Sequence, residues 1–214
     1  MYLLLIKAIM RQNLSTNRGF TLLLTIIVIG VVLAVTLTSL NLAIKQVQLS
    51  ADTRDSEVAF QAANAGLECV RHWRRAERNA FESGESVQIN CFGRSDTSSP
   101  TSVALDPSAS EGSAYLYEYQ IPWGDEDVFG ERCSQMRFVV MVANIDGGGI
   151  AITNEEMRGV LEGYPQRDDD TECEAGGRCT AFSSQGYSAQ CPGDINDLSS
   201  FSLGTIQREI LVEF

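Results

Sequence analysis

From Phe20 to Ile44 the chain carries no charged residue: FTLLLTIIVIGVVLAVTLTSLNLAI. A run of that length crosses a bilayer as one helix. Lys7, Arg11 and Arg18 precede it without an acid, and beyond Lys45 acids follow at once in Asp52, Asp55 and Glu57. Basic residues stay on the cytoplasmic side, so the C-terminal part is expected to face outward. A secretory signal fits poorly, because the apolar run is too long for such a signal and no small-x-small site follows it.

The helical pattern continues past the apolar run. Between Lys45 and Arg75 there is no Pro, and the only Gly is Gly66. At 100° per residue, Phe60, Ala63, Leu67, Val70, Ala59, Ala62, Cys69 and Trp73 fall on one half of the wheel. Arg54, Glu57, Gln61, Asn64, Glu68, Arg71, His72 and Arg75 fall on the other. One helix over residues 20–76 is therefore expected, with 20–44 transmembrane and 45–76 amphipathic. Up to Arg75 it would measure roughly 80 Å at the α-helical rise. Its striped part, led by Phe60, Ala63, Leu67, Val70 and Trp73, must lie on the rest of the chain.

From Glu77 the period changes to two. Tyr115, Tyr117, Tyr119 and Ile121 alternate with polar residues, and Met136–Val142 is apolar almost throughout. Ile206, Ile210, Val212 and Phe214 share a face, and 87–89 and 181–183 are shorter candidates. Short strands with turn-rich spacers predict an antiparallel sheet over residues 77–214. A one-faced sheet and a one-faced helix bury each other, so the fold class is α+β. Arg94–Ser113 and Gly159–Arg178, rich in turn residues, read as surface loops.

The net charge of −12 argues against nucleic acid as a partner. His72, the only histidine, lies on the polar face of the helix. No nucleophile elbow, phosphate loop or zinc pattern is visible, so no catalytic residue, cofactor site or metal ligand is assigned and no enzyme is expected. Gly147–Gly149 reads as a turn. Asp125–Asp127, Asp168–Asp170 with Glu172, and Asp194 with Asn196 and Asp197 read as solvated loops rather than calcium sites, since none completes a ligand pattern.

The junction Asn17-Arg18-Gly19-Phe20-Thr21-Leu22 resembles the prepilin family. The resemblance implies a leader at residues 1–19, cut by a prepilin peptidase after Gly19, with Phe20 as the methylated mature N-terminus. Leu24 stands where most members carry a Glu that pairs with a neighbour's terminal amine. Members lacking it are usually minor subunits. Ala59-Phe60-Gln61-Ala62-Ala63-Asn64-Ala65-Gly66-Leu67 looks like the helix signature of PilX-type minor pilins. The resemblance covers about 18–91 and implies a pilin-like fold and a minor pilin of a type IV pilus. Such a subunit would serve filament priming, assembly or tip function, and adhesion. Its partners would be other pilins, the prepilin peptidase and N-methylase, inner-membrane assembly machinery, and membrane lipid before assembly. It would begin in the inner membrane with its head outside and end in an extracellular fimbrium. A minor pseudopilin of a type II secretion system shares these features, and a membrane-anchored extracytoplasmic binding domain is a third reading.

Six cysteines all lie beyond the apolar run, an even count that suits an oxidising compartment. Fifteen connectivities are open. The expected pairs are Cys69 with Cys91, Cys133 with Cys191, and Cys173 with Cys179.

Overall fold

The computed structural model describes residues 18–104, 112–123, 132–161, 163–189, 191 and 207–213. Helix α1 (Arg18–Ala76) runs without a break through the apolar run and the striped segment. The chain divides into two units, Met1–Ala51 and Asp52–Phe214, and the division falls inside this helix.

In the second unit a short helix α2 (Arg78–Ser83) follows, ended by Gly84 in the left-handed conformation. Among the described residues the strands are β1 (Val87–Cys91), β2 (Arg94–Ser98), β3 (Thr101–Ser102), β4 (Gly112–Trp123), β5 (Arg132–Ala143), β6 (Ile150–Ile152), β7 (Thr171–Cys173), β8 (Arg178–Tyr187) and β9 (Gln207–Glu213). Helix α3 (Asn154–Val160) links β6 to β7 and is capped by Thr153, whose hydroxyl accepts the Glu156 N–H. The main sheet has the order β3-β4-β5-β8-β9, with every pair antiparallel. The fold is α+β, with a long apolar N-terminal helix and antiparallel sheets.

Period two in β5 divides the core. Met136, Phe138 and Val140 point to the side of α1 and α2, where they meet Leu67, Val70, Phe81, Tyr117, Tyr119 and Phe182. Val139, Met141 and Ala143 point the other way, onto Ile150, Ile152, Met157 and Leu161. Central β5 is thus buried on both faces, which is why its Met136–Val142 stretch is apolar except for Arg137. The Tyr117 and Phe138 rings stack with centroids 5.4 Å apart, and Phe81 meets Tyr117 edge-on at 4.9 Å.

Two expected loops contain regular structure. Residues 94–98 form β2, a hairpin partner of β1, despite their Ser, Thr and Asp content. Those side chains also cover the edge of β4: Ser98 Oγ accepts the Glu118 N–H at 3.2 Å, and Asp96 Oδ2 accepts the Gln120 N–H at 2.8 Å. A polar strand thereby occupies an edge that would otherwise invite pairing. The second expected loop begins inside α3 and contains β7, which pairs with β6. The turn expected at Gly147–Gly149 lies slightly earlier: the Gly147 N–H donates to the Asn144 carbonyl at 3.3 Å, and Gly149, beyond that turn, has φ 88°. Ile206 and Phe214 lie outside the described residues.

Candidate functional site

The first unit consists, where described, of residues 18–51 of α1, apolar from Phe20 to Ile44. Every residue from Phe20 to Ile44 is exposed on all sides of the helix, Leu24 included. Four of its hydroxyl side chains donate to their own helix backbone. Thr25 Oγ1 donates to the Leu22 carbonyl at 2.8 Å, Thr36 to Val32 at 2.9 Å, Thr38 to Ala34 at 2.6 Å and Ser39 to Val35 at 2.9 Å. Each of these hydroxyl hydrogens needs no water, which is the condition hydrocarbon imposes. This helix is long and apolar enough to cross a membrane. Gly19 and Phe20 lie in its first turn, and residues 1–17 lie outside the described residues.

In the second unit, α1 lays a stripe of small residues on β5 and β8. Ala59, Ala62 and Ala63 are fully buried, and Gly66 joins them. A Cβ on Gly66 would come to 2.9 Å from Ser134 Cβ and 3.0 Å from Ser184 Oγ. Across the seam, Gly186 leaves room for the backbone itself: a Cβ there would overlap the Ala59 carbonyl oxygen and the Ala63 nitrogen. Two hydroxyls reach over the contact. Ser134 Oγ donates to the Ala62 carbonyl at 2.7 Å, and Ser184 Oγ to the Ala63 carbonyl at 2.6 Å. Helix and sheet therefore meet backbone to backbone, a closeness that larger side chains would forbid.

Of the five expected packing residues, Ala63, Leu67 and Val70 are buried and Trp73 is half-buried. Trp73 donates its indole N–H to the Asn90 carbonyl at 3.0 Å. Phe60 is the correction: it is 53% exposed. The buried arc is centred near Val70, about 80° around the wheel from Phe60, so Phe60 falls at its margin. Apolar character alone put Phe60 on the packed half.

The end of α1 is fastened by charge and sulfur. Buried Arg74 reaches Glu82 at 3.0 Å, and the same carboxylate takes Arg78 at 2.8 Å and Arg178 at 3.1 Å. Burial alone would raise the Glu82 pKa, but the hydrogen bonds from Arg78 and Arg74 outweigh it and hold the group below the usual carboxylate value. Arg178 also donates to the Ala143 carbonyl at 2.8 Å, tying α2 to the ends of β5 and β8. The disulfides are Cys69–Cys91, Cys133–Cys191 and Cys173–Cys179, the expected pairs.

His72 is exposed and stacks edge-on near Trp73. Among the described residues, no three His, Cys, Asp or Glu side chains come together as metal ligands. Asp170 Oδ1 accepts the Asn154 N–H, while Asp125, Asp127, Asp194 and Asp197 lie outside the described residues. Ser134, Ser184 and Gly186 are absent from the sequence-based site. Gly186, a glycine within a strand, carried the one legible signal, because such glycines mark close backbone approach. No protein-family model matches the chain, and no curated protein or solved structure matches it.

Proposed function

We infer that the chain is a minor subunit of a type IV pilus, of the PilX type, that takes part in priming or tipping the filament. The observation that carries this reading is the two-part character of α1. Its first part is apolar and exposed all round, and its second part is buried on one side by the sheet. An all-round apolar helix must be covered by lipid or by other helices. A subunit that leaves the membrane for a filament exchanges one cover for the other. The Arg18-Gly19-Phe20 junction supports removal of residues 1–19 and methylation of Phe20, and Leu24 supports a minor rather than a bulk position. In this reading the head is delivered across the inner membrane and ends outside the cell, where the exposed surfaces of the sheet serve adhesion. No reaction is assigned to it.

The test is incorporation. Filaments sheared from cells that make the chain are purified and probed for it, alongside cells lacking the prepilin peptidase. The reading expects the chain in sheared filaments, at far below the major subunit's amount, and only where the peptidase is present. Retention of the chain in the membrane under both conditions would overturn it.

A further inference from the structure

Residues 55–75 of α1 carry the end signals of a helix complete in itself. Asp55 is a residue type that takes up free N–H groups at a helix start, and Glu57 adds negative charge in the turn that follows. Arg71, Arg74 and Arg75 put positive charge at the opposite end. Yet these acids stand in mid-helix, while the first turn of α1 holds none. Ser50, Asp52 and Thr53, just before them, are poor helix-interior residues whose side chains compete for the backbone. Packing does not compensate: every residue from Lys45 to Asp55 is exposed, and the first buried one is Ala59, one turn past Asp55.

We propose that residues 50–54 are a joint in α1 that opens locally, while the helix beyond restarts with Asp55 as its own N-cap. In the closed state Asp55 is an ordinary exposed helix residue. In the open state its carboxylate takes the N–H of residue 57 or 58, so opening costs less than melting an uncapped helix. Helix on the head side stays anchored by the Gly66–Gly186 seam. This inference rests on the helix alone and stands apart from the filament reading.

Hydrogen exchange of the full chain in lipid nanodiscs, read by mass spectrometry, tests it. Amides of 50–54 are expected to exchange about a hundredfold faster than those of 62–70. Asp55→Ala removes the cap and improves the closed helix, so exchange in 50–54 should slow about tenfold. Asp55→Asn keeps a capping side chain and should leave the rate nearly unchanged. Uniform protection from 46 to 70, or equal effects of the two substitutions, would overturn the proposal.

Discussion

Gly186 of β8 lies directly against the backbone of α1, in the space where a side chain would meet the Ala59 carbonyl. Gly186→Ala forces backbone apart from backbone, and neither partner is a flexible side chain. The expected cost is about 3 kcal/mol, the upper end for overpacking. Gly66→Ala meets only Ser134, Ser184 and Met136 side chains, the nearest at 2.9 Å. It also gains about 1 kcal/mol of helix propensity, so its net cost should be much smaller. Thermal unfolding of the two variants should rank Gly186→Ala well below Gly66→Ala.

Ser134→Ala and Ser184→Ala each delete a buried hydroxyl that donates to a helix carbonyl. Each carbonyl lies within α1, where the helix's own bonding can serve it. Each substitution is therefore expected to cost about 1 kcal/mol, the net worth of one such bond. Urea denaturation should show lower midpoints with unchanged slopes.

The three disulfides close loops of different length. The separations are 58 residues for Cys133–Cys191, 22 for Cys69–Cys91 and 6 for Cys173–Cys179. Loop-closure entropy gives about 4, 3 and 2 kcal/mol respectively. Paired Cys→Ala variants, compared by thermal unfolding, should lose stability in that order.

Stability should fall at both ends of the pH scale, by opposite linkage. Glu82 is held below its ordinary value of 4.5, so its contribution is full above that value and is lost as pH falls through the lowered pKa. Tyr117 is pushed up to about 12 from 10.0, chiefly by burial, and Tyr119 is raised further by the same cause. Their neutral forms favour the fold: that contribution is complete below 10 and drains away as pH rises through the native values. Unfolding midpoints measured across pH should be flat from about 6 to 9 and drop above 10. Glu82→Gln should flatten the acid limb alone.

The parts of the fold that repeat were legible in the sequence. Helical periodicity located Leu67 and Val70 on the buried side, and strict alternation placed Tyr117, Tyr119 and Ile121 on the inner face of β4. Phe60 was misread because half a wheel is wider than the arc that the sheet covers, and how wide that arc is depends on β5 and β8, distant in the chain. Strand β2 was hidden because its polar side chains bond the β4 edge, a relation between residues 96 and 120 that no local pattern expresses. The Glu82 cluster draws on Arg74, Arg78 and Arg178 from three elements and was hidden for the same reason. Helices α2 and α3 are too short to show a period.

The most direct test of the account is the mass of the mature N-terminus in protein isolated from the cell envelope. The account predicts a chain that begins at Phe20 and carries one added methyl group. A chain that retains residues 1–19 beside an active prepilin peptidase would contradict it.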